Sequence, residues 1–149
     1  MTLTTKTLRL IVFLVWNSQI VRYLLDTCTW IFLLTDSPKL KQQQKQLILD
    51  PQNTKYLSVI SVWEMAIKIE KGKLTLPKPL QELVFEACVK DNFKLLNLDV
   101  FSVLGSNKLP PHHQDPFDRM LISQAIDNDL TIITSDCKFA TYEVPIVDF

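Results

Sequence analysis

Three short apolar runs, each closed within two residues by an acid, constrain this chain more than any other feature. Val21-Arg-Tyr-Leu-Leu25 is followed by Asp26, Phe93-Lys-Leu-Leu-Asn-Leu98 by Asp99, and Leu130-Thr-Ile-Ile-Thr134 by Ser135-Asp136. Brief apolar runs of this kind read as strands buried on both faces. Helical segments lie between them. Thr27 to Leu34 reads as a short helix capped by Thr27 or Thr29. Residues 37–49 read as a Gln-rich surface helix with Leu40, Leu47 and Ile48 on one side. Tyr56-Leu-Ser58 is a brief strand that feeds a helix over 59–71, capped by Ser58 or Ser61 and stopped at Gly72. Pro77 and Pro79 lead into a helix over 80–90, and residues 101–104 form a short helix ending at Gly105. A helix from about Pro116 to Asn128 precedes the third run. After it come a helical turn over 137–142 and Val144-Pro-Ile-Val147, whose proline marks an edge strand. This alternation predicts an α/β fold with a mainly parallel sheet covered on both faces.

Composition narrows what such a fold can do. With 149 residues, 47% of them hydrophobic, the chain has the apolar mass for one domain with a core. Its 16 basic and 16 acidic residues balance, but residues 1–25 hold Lys6, Arg9 and Arg22 and no acid. A nucleic-acid site would therefore be a local patch, not a basic coat. Cys28, Cys88 and Cys137 lie far apart and form no C-x-x-C, which argues against a disulfide framework or zinc knuckle and fits a reducing cytoplasm. Gly72 and Gly105 are the two glycines, too few for a GxGxxG turn or a P-loop. Lys6 and Arg9 ahead of Leu10-Ile-Val-Phe-Leu-Val-Trp16 resemble a signal peptide. The run is too short to span a bilayer, and no small-x-small cleavage site follows. Residues 1–20 are accordingly expected to be an N-terminal extension outside the fold, and residues 21–149 the domain.

Ligands of an open parallel sheet bind beyond the carboxyl ends of its strands. Asp26 and Asp136 stand there. Glu64, early in the helix after the Tyr56–Ser58 strand, can point back to the same rim, and Asp115 and Asp118 open the helix that feeds the third run. Four segments can thus bring carboxylates together, and crowded carboxylates require a cation. Mg²⁺ or Mn²⁺ suits an all-carboxylate site, and such a site suits phosphodiester hydrolysis. Each acid also has a plainer explanation. Asp115 before Pro116 is a good helix cap, and Asp118 in the first turn complements the helix dipole. Glu64 has Lys68 four residues on as an ion-pair partner. Asp99 reads as a cap and is left out of the site. Asp26 is the hardest to explain plainly, because a buried acid needs a partner. His112 and His113, being adjacent, point apart, which speaks against a shared metal and for a loop role or a substrate contact. Trp63, Phe117 and Phe139 read as core.

Taken in order, these pieces resemble a known family. They are Leu24-Leu-Asp-Thr27, Ser61-Val-Trp-Glu-Met-Ala-Ile-Lys68 with Gly72-Lys-Leu74, His113-Gln-Asp-Pro-Phe-Asp-Arg-Met-Leu-Ile-Ser-Gln-Ala125, Thr134-Ser-Asp136 and Tyr142-Glu-Val-Pro145. The combination resembles a PIN domain, and in particular the VapC-type ribonuclease toxins of toxin–antitoxin pairs. The resemblance spans residue 21 to about 148. It implies a three-layer α/β/α fold with a mainly parallel sheet of about five strands. It also implies a Mg²⁺- or Mn²⁺-dependent endoribonuclease acting on tRNA or other structured RNA, leaving 5′-phosphate and 3′-hydroxyl ends. The acidic quartet falls on Asp26, Glu64, Asp118 and Asp136, with Asp115 auxiliary. Thr134 or Ser135 would support the site through a hydroxyl, and Arg119, Lys68 and Ser135 are candidates for substrate contact. A homodimer restrained by a small antitoxin is implied, with no membrane association. Two rivals stand beside it. A metal phosphatase or phosphoacceptor domain would want a D-x-D pair, which Asp26-Thr-Cys28 lacks. A catalytically silent PIN-like module binding RNA or protein would be favoured by loss of a quartet acid, and none is lost.

Overall fold

The computed structural model describes residues 21–149; the segment expected to be an extension, 1–20, lies outside the described residues. At the centre is β1 (Arg22–Leu25). Successive strand side chains alternate between faces, so β1 serves two cores at once. Tyr23 and Leu25 pack with Trp30, Met65 and Phe93 on one side. Leu24 packs with Leu121, Ile122 and Phe139 on the other. That double burial is why the first run is apolar without alternation.

Strand β1 lies between β2 (Thr54–Ser58) and β4 (Thr131–Ile133), with β3 (Phe93–Leu96) outside β2 and β5 (Ile146–Val147) outside β4. All four pairings are parallel, with Leu24 opposite Tyr56 on one flank and Ile132 on the other. The helices are α1 (Thr27–Leu34), α2 (Gln42–Leu49), α3 (Val59–Glu70), α4 (Leu80–Val89), α5 (Val100–Lys108) and α6 (Pro116–Asp127), with a 3₁₀ helix over Cys137–Thr141. Residues from α1 to α4 line the first core; α6 and the 3₁₀ helix line the second. The result is the expected α/β/α arrangement. The strand order β3-β2-β1-β4-β5 runs outward in both directions from β1 and β4. The crevice between their carboxyl ends is the switch point where such sheets bind ligands.

Three local details differ from the sequence reading. Helix α1 is capped by Asp26, whose carboxylate accepts from Thr29 N, not by Thr27 or Thr29. Helix α5 does not stop at Gly105 but runs through it. A Cβ there would lie 2.7 Å from Ser123 Oγ on α6, so this glycine permits close helix packing and ends nothing. Gly72, at φ +66°, does terminate α3 in the left-handed region. Trp63 is 59% exposed instead of core.

The amino ends of the strands are closed. Lys55, opposite Tyr23, is buried with its ammonium 5.1 Å from the Phe93 ring centroid. Burial lowers its pKa, while Asp50 and Asp91 push the other way. Arg22 donates to Asn128 O and to the Tyr56 hydroxyl, both at 3.0 Å.

Candidate active site

The carboxyl ends of β1 and β4 gather the acids. Asp26 follows β1 directly, its N–H donating to Ile133 O at 3.2 Å and so locking the end of β1 to β4. One carboxylate oxygen accepts from Thr29 N at 2.7 Å, the other from the Thr134 hydroxyl at 2.5 Å. These are the partners that a buried acid at a strand end requires. Thr134 Oγ1 also accepts from Asp136 N at 3.0 Å, so one threonine ties Asp26 to the turn carrying Asp136.

Glu64 reaches the rim from the second turn of α3, a helix that starts directly at the end of β2 under a Ser58 cap. It is buried, 2.5 Å from the Thr27 hydroxyl and 2.5 Å from Lys68 Nζ. Asp115 caps α6 through Phe117 N at 2.8 Å with Pro116 in the first turn, and Asp118 stands one turn in. Asp136 caps the 3₁₀ helix through Lys138 N at 2.9 Å.

Between Asp118 and Asp136 lies a side chain that the sequence reading gave a loop role or a substrate contact. His113 is 5% exposed, and its Nε2 is 2.9 Å from Asp136 Oδ2 and 3.2 Å from Asp118 Oδ2. His112 is exposed and meets the Tyr142 ring edge-on, so the two histidines do point apart. One atom from each of His113, Asp118 and Asp136 falls within 4.8 Å of the others, the tightest potential ligand group among the described residues. Asp26 and Glu64 stand outside that group.

The electrostatics bind the acids into one site. Asp118 is pushed up to about 8, first by burial and then by Asp115, Glu64, Asp26 and Asp136 in turn. Burial also raises Asp26 against its two hydrogen bonds, with Asp136 adding to the rise. Asp136 goes the other way: burial would raise it, but Lys138 N–H, the His113 hydrogen bond and the nearby positive charges hold it down. A carboxylate set as Asp118 is holds its proton at neutral pH unless a cation replaces it. The donor set, oxygen-rich with one imidazole beside it, fits a hard divalent cation.

Two expected substrate contacts are not available as drawn from sequence. Arg119 spends its guanidinium on its own scaffold. It donates to Ser106 O and Leu109 O at 2.8 Å, Pro110 O at 2.9 Å and His113 O at 3.2 Å. Its two terminal nitrogens thus hold the end of α5 and the 109–113 loop. Lys68 is committed to Glu64: burial lowers its pKa, but the pairing outweighs that and the net shift is upward. Ser135 is exposed, and the hydroxyl that supports the site is that of Thr134. Beside the acids opens a groove of about 190 Å³, lined by Glu64, Lys68, Lys71, Lys73, Asp115 and Phe117. Exposed Trp63 stands at its side, edge-on to Phe117 with centroids 5.4 Å apart.

The PIN domain family model matches residues 23–144. The chain belongs to the PIN domain family. Solved structures agree on the fold. VapBC2 from Rickettsia felis, bound to a DNA fragment from its promoter, superposes at a TM-score of 0.66 with 16% identity, covering 86% of this PIN domain chain and 98% of that one. FitAcB from Neisseria gonorrhoeae gives 0.58 and 20%, covering 85% and 96%. A toxin–antitoxin complex from Klebsiella pneumoniae gives 0.57 and 17%, covering 84% and 95%. No curated protein matches the sequence. Among the described residues of this PIN domain, no helix is long and apolar enough to cross a membrane.

Proposed function

We propose that this PIN domain is a Mg²⁺- or Mn²⁺-dependent endoribonuclease, the toxin of a toxin–antitoxin pair, working in the cytoplasm on tRNA or another structured RNA. The observation that carries the reading is the state of Asp118. Burial and four neighbouring acids push it to about 8, which leaves the rim wrongly charged until a divalent cation binds. Asp26, Glu64, Asp118 and Asp136 would hold the ion, with Asp115 as cap and auxiliary acid. The ion supplies charge neutralisation at phosphorus and a more acidic attacking water. Asp136, held low by its donors, stays ionised and would complete the cage or orient the attacking water. Thr134 and Thr29 hold the Asp26 carboxylate in place before substrate arrives.

The substrate path suits an unpaired nucleic-acid strand, in keeping with the RNA reading. Trp63 and Ile67 on α3 and Lys71 at its C-cap lie four residues apart, one stripe over from Glu64 and Lys68. Trp63 is exposed, and so are Lys71 and Lys73. An unstacked base can lie on an indole while ammonium groups meet the adjoining phosphates. The toxin role rests on the neighbours: VapBC2 and FitAcB, and the complex named as toxin and antitoxin, share this fold. A homodimer and a small protein inhibitor belong to the same reading.

One observation favours a silent binding module instead. Glu64 is already neutralised by Lys68 at 2.5 Å, so one ligand position is taken. Cleavage separates the two readings. The full chain, freed of any partner, is incubated with total tRNA and Mg²⁺, Mn²⁺ or chelator. Metal-dependent cutting that vanishes in Asp26→Asn and Asp118→Asn is the expected result. A wild type that never cuts makes the silent module correct, and a nuclease surviving both substitutions moves the site elsewhere.

A further inference from the structure

The chemistry proposed above gives His113 no task, yet every polar atom of this residue is engaged. Its backbone N–H donates to the Tyr142 hydroxyl at 2.8 Å, and its carbonyl accepts from Arg119. The ring meets Phe139 edge-on, centroids 5.6 Å apart, and is almost fully buried. Nδ1 accepts the Asp115 backbone N–H at 3.2 Å. That last contact decides the tautomer. A backbone amide can only donate, so a proton on Nδ1 would set two N–H groups head to head. The imidazole proton therefore sits on Nε2, where it is directed to Asp136 Oδ2, with Asp118 Oδ2 3.2 Å from the same nitrogen.

We propose that His113 is a positioning residue that stands between Asp118 and Asp136, its Nε2–H holding Asp136 while Asp118 lies against the same nitrogen, setting the spacing at which the pair receives a divalent cation. The proposal rests on the metal-dependent reading of the site. A donor between two carboxylates reduces their repulsion and leaves each with lone pairs for another partner. Direct ligation through Nε2 would need the lone pair that the tautomer denies it. The same chain of contacts explains the loop. Arg119 and Tyr142 pin residues 109–113, Asp115 N–H orients the ring, and the ring orients the acids. The residue that caps α6 therefore also sets the histidine that serves Asp118.

The test is Mn²⁺ binding by the full chain, read by electron paramagnetic resonance without RNA. His113→Leu keeps a bulky apolar group and removes the donor; His113→Gln restores a side-chain N–H. Outer partners of metal ligands are worth roughly 10- to 100-fold in affinity, so His113→Leu is expected to weaken Mn²⁺ binding by about that factor and His113→Gln to recover most of it. Spin-echo spectra of the wild type with Mn²⁺ are expected to show no directly bound imidazole nitrogen. Such a nitrogen overturns the proposal in favour of a ligand. Unchanged affinity in His113→Leu overturns it as well, as does a folded His113→Gln that loses as much as Leu. If His113→Leu does not fold, His113→Gln and the wild-type spectrum decide. A wild type that binds no Mn²⁺ sinks the metal-dependent reading and this proposal together, whereas binding with an indifferent position 113 sinks the proposal alone.

Discussion

The two ends of one sheet treat buried charge in opposite ways. At the amino ends, Lys55 is enclosed with an aromatic ring beneath it and Asp50 and Asp91 nearby. At the carboxyl ends, Asp26, Glu64, Asp118 and Asp136 converge, and the partners inside the chain leave Asp118 far from its ordinary state. The first arrangement is complete within the protein. The second is arranged around something to be supplied. A parallel sheet makes both from the same register, because β1 and β4 bring their chain ends to one crevice and their beginnings to the other. Strain at one end is therefore a better guide to function than burial, which both ends share.

The comparison can be broken most directly at Asp118. Asp118→Asn is expected to lower metal-dependent RNA cleavage by on the order of 10²-fold or more. The same change should raise the melting temperature of the chelated protein, since it removes one of several repelling acids. Calorimetry beside a cleavage assay reads both, and a stability loss would contradict the electrostatic account. At the other end, Lys55→Glu sets a third acid near Asp50 and Asp91 and is expected to cost about 3 kcal/mol or more, measured by urea unfolding. Lys55→Met, similar in volume, should be near neutral. In both variants the cleavage rate per folded molecule should be unchanged.

A smaller effect is expected on the outer wall of the acidic end. Trp63→Ala removes an exposed indole, so stability should hold. RNA affinity should fall by the roughly 1–3 kcal/mol that one stacked base contributes, seen in KM and not in kcat. The last effect is a pH slope. Asp118 keeps its proton up to about pH 8 when folded but loses it near pH 4 when unfolded. Between those limits the folded chain binds the extra proton, so its stability falls as pH rises through that window. Asp26, also raised, acts in the same direction. Saturating Mg²⁺ or Asp118→Asn should flatten the slope in thermal melts; a slope equally steep in Asp118→Asn would assign it elsewhere.

The sheet was legible because its central strands β1 and β4 are apolar on both faces, a signal that needs no neighbours. The acids were legible because each follows a strand or opens a helix, so topology alone carries them to one rim. What could not be read were contacts between segments far apart in sequence. Nothing local tells that Arg119 turns back onto the carbonyls of the loop before it, or that Gly105 serves Ser123 and not a helix end. Trp63 reads as core from its apolar neighbours, yet the α3 face that carries it looks outward. His113 was hidden for another reason. Its adjacency to His112 says only that the two rings point apart, and is silent on what one of them does alone. The clue in the sequence was the spacing of His113, Asp115 and Asp118, which places a ring acceptor, a backbone donor and a carboxylate around a single helix start.

The Thr134–Asp26 hydrogen bond joins residues 108 positions apart, and it closes the pairing of β1 with β4 at the middle of the sheet. The consequence is one of timing. Contacts that distant form slowly, because the intervening chain must be ordered first. Until β4 docks, one edge of β1 is open and Asp136 is remote from Asp26. The acidic rim is thus assembled only once β4 docks, and a chain that stops short of β4 lacks both Asp136 and the hydroxyl that holds Asp26.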